Sequence, residues 1–104
     1  MNYRSFEIVS QTNFELESEI PFCIASARAE GVEIVKITFS KDRERLFLPA
    51  TKILRSLKRK GRVEFFELAA NLNSDTTEAR FFRNKYTDFI HSCLSEERTL
   101  VIKL

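Results

Sequence analysis

The side chains able to exchange protons, attack carbon or hold a metal are few and scattered in this chain. Histidine occurs once, at His91, and cysteine at Cys23 and Cys93. A Cys93–His91 nucleophile pair is disfavoured by geometry. At about 3.6 residues per turn, Cys93 falls on the apolar stripe of its helix while His91 points outward to solvent. Glu15, Glu17 and Glu19 supply carboxylates, and Glu15 and Glu19 share a helix face. Without a His or Asp partner they read as a solvated face rather than metal ligands. Two cysteines define neither a disulfide framework nor a zinc site, and they read as small buried apolar groups in a reducing compartment. The two glycines are isolated, so there is no glycine-rich phosphate loop. No HExxH, CxxC, GxSxG or calcium-loop pattern occurs. The expectation is no catalytic residue, no metal and no cofactor.

Charge carries more information than these groups do. Between Lys36 and Arg62 stand ten lysines and arginines against the two acids Asp42 and Glu44, while both flanking segments are net acidic. The overall charge of +2 therefore conceals a strongly basic middle. If Lys41, Arg43 and Arg45 approach Lys52, Arg55, Lys58, Arg59, Lys60 and Arg62, the fold carries a patch suited to phosphate. Cationic side chains displace the counterions condensed on RNA or DNA, and such patches are the footprint of that binding. The competing account is an ordinary solvated helix face, and a pI near 8.7 falls short of the values above about 9 typical of dedicated nucleic-acid domains. Phe81, flanked by Arg80 and Arg83, and Phe47, in the basic connection, are candidates for stacking on a base or contacting a partner. For Phe81 the alternative is burial at the edge of a broad helix face.

These residues need elements to place them. Tyr3–Ser10 reads as a strand, with Phe6 and Ile8 on one face and Val9 on the other. Asn13 is a plausible N-cap for a helix whose stripe is Leu16, Ile20, Cys23, Ile24 and Ala27, closed by Gly31. Pro21 either kinks this helix or sits in its first turn with Ser18 as the cap. Val32–Ser40 is a strand apolar on both faces, which belongs inside a sheet covered on both sides. A charged connection, Lys41–Arg45, leads to a second helix with Leu46, Ala50, Ile53, Leu54 and Leu57 buried. Pro49 near its first turn would leave Leu46–Leu48 partly extended, and Gly61 stops the helix. Val63–Ala69 is a third strand, Asn71–Ser74 a loop, and Asp75 with Glu78 resembles a capping box. The third helix buries Ala79, Phe82, Tyr86, Phe89, Ile90, Cys93 and Leu94, and Thr99–Leu104 forms the last strand. The predicted order is β-α-β-α-β-α-β. It implies an α/β domain with one four-stranded, at least partly parallel sheet covered by three helices.

The length of 104 residues fits a single domain spanning 1–104. With 43% apolar residues, ten of them Phe, there is ample surface to bury, so disorder is excluded. No stretch approaches the roughly 20 apolar residues of a membrane span, and the N-terminus carries no signal-like apolar core. A cytoplasmic chain with no membrane partner is expected.

From Phe6 to Leu68 the layout resembles the Smr (small MutS-related) domain. The corresponding pieces are Phe6-Glu7-Ile8-Val9, the acid-rich helix from Asn13 to Gly31, Val32-Glu33-Ile34-Val35-Lys36-Ile37, the helix around Leu54 to Leu57, and Arg62-Val63-Glu64-Phe65-Phe66. Thr99–Leu104 is similar to that family's closing strand. The family's L-D-L-H-G signature falls on Phe6 to Ser10 and its H-G-x-G signature near Phe39 to Asp42, in both cases without His or Gly. No nuclease residue therefore carries over. The resemblance implies a degenerate relative that keeps nucleic-acid affinity through charge alone.

Three functions are consistent with these features. The first is non-catalytic nucleic-acid binding, to RNA or DNA, through the basic segment. The second is a protein-interaction or self-associating module, such as a homodimer, using open sheet edges and the complementary charge of the first two helices. The third is an enzyme without a recognised motif.

Overall fold

Ile34, Val35 and Ile37 are wholly buried although successive side chains leave a strand on opposite faces. That pattern requires a covered sheet. The computed structural model, which describes residues 3–87 and 98–104, supplies it. Strands β1 (Tyr3–Glu7), β2 (Ile34–Thr38), β3 (Phe65–Leu68) and β4 (Thr99–Lys103) form one sheet in the order β1-β2-β4-β3. β1 and β2 are parallel, with Tyr3 opposite Ile34. β4 runs antiparallel between β2 and β3, with Lys103 opposite both Ile34 and Phe65. The expected α/β class and partly parallel sheet are what the molecule adopts.

Helices α1 (Asn13–Ala29) and α2 (Phe47–Arg59) cover one face. Leu16, Ile20, Cys23, Ile24 and Ala27 from α1 and Ala50, Leu54 and Leu57 from α2 bury against Val35, Ile37, Leu100 and Ile102. Helix α3 (Thr77–Lys85) and the 3₁₀ turn Ala69–Asn73 close the other face, where Leu72, Phe82 and Tyr86 meet Ile34, Val101 and the partly buried Phe65. Truncating Phe82 to Ala would cost about 3–5 kcal/mol, since it has no exposed surface. Among the described residues, no helix is long and apolar enough to cross a membrane.

Several local expectations are corrected. Thr12, rather than Asn13 or Ser18, caps α1. Its hydroxyl accepts from the Glu15 N–H at 3.1 Å and donates back to the Glu15 carboxylate at 3.3 Å, so the cap stands one residue before the expected Asn13. Pro21 lies inside α1, so the Glu17 carbonyl receives no helical N–H from it. Leu46–Leu48 are not extended. The charged connection forms a 3₁₀ helix, Lys41–Leu46, that runs directly into α2, and Pro49 fits within the first turn because its N–H would have no helical partner there. Asn71–Ser74 is largely 3₁₀ rather than open loop, and Thr76 rather than Asp75 caps α3, accepting from the Ala79 N–H at 3.1 Å. All four strands are shorter than their sequence patterns. Phe89, Ile90, His91, Cys93 and Leu94 lie outside the described residues.

Candidate nucleic-acid interface

On α2 the buried positions Ala50, Leu54 and Leu57 leave the opposite side to Leu48, Lys52, Arg55 and Arg59, at about 100° per residue. All four are exposed. Because α1 and α2 pack side by side on the same sheet face, this cationic crest and the outer side of α1 look the same way. Between the helices run two adjoining depressions. Glu17, Pro21, Lys52, Ser56 and Lys60 are among the residues around the first, of about 440 Å³. Pro21, Ala25, Arg28, Leu57 and Arg62 are among those around the second, of about 370 Å³. Pro21 and Leu57 belong to both, so one groove follows the pair of helices. Small residues on α1, Pro21 and Ala25, leave it open.

The sequence-derived cations divide into three groups. Lys52, Arg55, Arg59, Lys60 and Arg62 gather on the crest and groove wall. Lys58 lies about 100° round the helix from Arg59, on the flank away from the groove, and Lys41 is exposed at the start of the 3₁₀ helix before α2. Arg43 and Arg45 are held by the fold itself. Arg43 Nε donates to the Ser10 carbonyl at 3.0 Å, and its Nη1 donates to Ser40 Oγ at 3.1 Å. Arg45 donates to the carbonyls of Gln11 and Asp42. These two guanidiniums pin the β1–α1 loop. Lys36 leaves the opposite face of the sheet, sharing its parity with Ile34.

Neutralisation by acids is slight on the crest. Among the described residues, the side chains of Lys52, Arg55, Lys58, Arg59 and Lys60 form no ion pair or hydrogen bond. The acids that could oppose them are occupied elsewhere. Glu15 serves the α1 cap. The Glu19 carboxylate accepts from the N–H groups of Ser10 at 2.8 Å and Val9 at 2.9 Å and from the Ser10 hydroxyl. Glu44 pairs with Arg98 at 3.2 Å, and the Ser40 hydroxyl chiefly holds the Asp42 carboxyl below its usual range. Among the described acids, Glu17 is the one that lines the groove alongside the cations.

Neither expected aromatic stands free. Phe47 is half-buried, edge-on to Phe39 at 5.3 Å. Phe81 is half-buried, edge-on to Phe65 at 5.3 Å, with the Lys85 ammonium 5.5 Å from its ring. Each packs against a core, and the alternative of edge burial describes Phe81. Among the described residues the exposed aromatics are Tyr3 of β1 and, more fully, Phe14 and Phe22 of α1, at 81% and 66% exposure. They and Arg28 were not among the residues the sequence reading selected. The signal was present: both α1 rings project opposite the Leu16, Ile20, Cys23, Ile24 and Ala27 stripe. Burial raises the Cys23 thiol to about 11, so it is protonated and unreactive at neutral pH. Among the described residues no group of His, Cys, Asp and Glu is arranged to hold a metal.

Comparison with protein-family models, with characterised proteins and with solved structures finds no match to this chain.

Proposed function

We propose that this domain binds nucleic acid by its phosphate backbone, using the outer side of α2 and the groove between α1 and α2. The observation that carries this reading is the gathering of Lys52, Arg55, Arg59, Lys60 and Arg62 on one side with no acidic partner bound to them among the described residues. Lys52, Arg55 and Arg59 fall in line over about 10 Å, at 1.5 Å per helical residue. Arg28, on the α1 wall, donates to the Arg62 carbonyl and so ties the far end of the groove together. Exposed cations that share a face without internal neutralisation attract a polyanion and release its counterions.

Fluorescence anisotropy of labelled oligonucleotides at stepped salt concentrations tests it. Five phosphate contacts should give a slope of log K against log salt of about −4, at roughly 0.7–0.9 per contact. Absence of salt-dependent binding at low micromolar protein sinks the reading. A second reading, a self-associating module without a nucleic-acid role, draws support from the outer edges of β1 and β3, which meet no further strand among the described residues. Sedimentation showing a monomer at the concentrations used for binding eliminates it.

A further inference from the structure

Resting on the phosphate-binding reading, we propose that the ligand is single-stranded nucleic acid, with bases stacking on Phe14 and Phe22 while phosphates follow Lys52, Arg55 and Arg59.

Glu17 and Lys52 meet at one end of the inter-helix groove and Arg28 and Arg62 at the other, so α1 and α2 run alongside in the same direction. Phe14 lies one turn before Glu17, level with the start of α2. Phe22 follows Pro21, level with Leu57, the residue that shares the groove with Pro21. The two rings are eight positions apart, about 12 Å along the helix. Lys52 and Arg59 are seven apart, about 10 Å. Eight positions also turn the second ring about 80° around α1, so an aromatic track crosses the outer side of that helix at a slant while a cationic one of nearly equal length runs along its neighbour. That is the arrangement a single strand needs: backbone on cations, bases turned aside onto aromatic faces. A duplex keeps its bases stacked inside and could use only the cationic track.

The rings have no structural task. Among the described phenylalanines, Phe14 and Phe22 are the ones left 81% and 66% exposed, while Phe39 and Phe82 are fully enclosed. A second copy is a poor occupant for this face. Two such rings expose on the order of 300 Å², well below the ~800 Å² per partner of a stable interface. Ser18 interrupts the apolar surface between them.

The chain holds no tryptophan, so Phe14→Trp and Phe22→Trp each install a single emission reporter. Stacking predicts quenching of that emission by an unlabelled single strand, with affinity retained. Phe14→Ala and Phe22→Ala should each weaken single-strand binding about 5- to 150-fold and leave duplex binding and the oligomeric state unchanged. Melting curves establish that the variants fold, as exposed positions should allow. Equal affinity of single strands and duplexes, with the Ala variants binding both like the parent, overturns this inference and leaves phosphate binding standing. Loss of vesicle binding or of self-association in the Ala variants, with single-strand affinity intact, also overturns it. Failure of the parent protein to bind either nucleic acid removes both readings.

Discussion

The Arg43 Nε–H donates to the carbonyl oxygen of Ser10 at 3.0 Å, tying the turn after β1 to the 3₁₀ helix that precedes α2. A cation that composition places in a phosphate-binding patch is thereby committed to the fold. Arg43→Ala should lower stability by about 1–2 kcal/mol, because the Ser10 carbonyl and the Ser40 hydroxyl lose a charged donor. For a domain of this size that is a fall in Tm of at least about 4 °C. Oligonucleotide affinity should stay close to that of the parent. A stable variant with weakened binding would place Arg43 in the interface instead.

Glu19 performs the matching task from α1. Its carboxylate accepts from two consecutive backbone N–H groups and the Ser10 hydroxyl, and Ser10 is buried. Glu19→Gln keeps the shape and one carbonyl oxygen but loses the charge and part of the acceptor capacity. Denaturant melts should show a loss of about 1–3 kcal/mol. A neutral result would mean that water replaces the carboxylate without cost.

The division of cations on α2 predicts unequal effects from equal changes of charge. Arg55→Gln and Arg59→Gln should each weaken oligonucleotide binding and reduce the salt slope by about one. Lys58→Gln removes the same charge from the flank away from the groove and should leave the slope nearly unaltered. Anisotropy titrations across a salt series measure all three. Equal effects at the three positions would indicate attraction by net charge rather than a defined face.

Tyr86 donates from its hydroxyl to the Glu33 carboxylate at 2.8 Å, joining the end of α3 to the residue before β2. Burial, reinforced by that carboxylate, raises the phenol from 10.0 to about 12. The folded state holds this proton longer than the unfolded chain, so its contribution is complete below pH ~10 and lost as pH climbs through about 12. Glu33 shifts in the other direction, held below the ordinary carboxylate range chiefly by the same hydroxyl and then by Lys85. Its contribution is present at neutral pH and lost as pH falls through its folded value. The chain has two tyrosines, so absorbance titration of Tyr86→Phe against the parent isolates the late phenolate step. A parent titration finishing near the free-phenol range would contradict the enclosed hydroxyl.

Periodicity alone made much of the architecture legible. Val35 and Ile37 on one parity and Ile34 on the other announced a strand covered on both sides, since apolar side chains on both faces demand two layers. The helix stripes of α1 and α2 were readable for the same reason: burial repeats with the turn of the helix. Local chemistry was legible too: Thr12 and Glu15 carry the Thr-x-x-Glu spacing of a helix start, and Phe14 and Phe22 stand off the apolar stripe. What tertiary structure decided was pairing. The place of β4 between β2 and β3 depends on contacts between distant segments, and no local pattern encodes it. The same holds for the cations. Arg43 and Arg59 are indistinguishable as residue types in a basic run. The fold alone brings the Ser10 carbonyl within reach of Arg43 and leaves Arg59 facing solvent, because a charge's role depends on the partners folded against it.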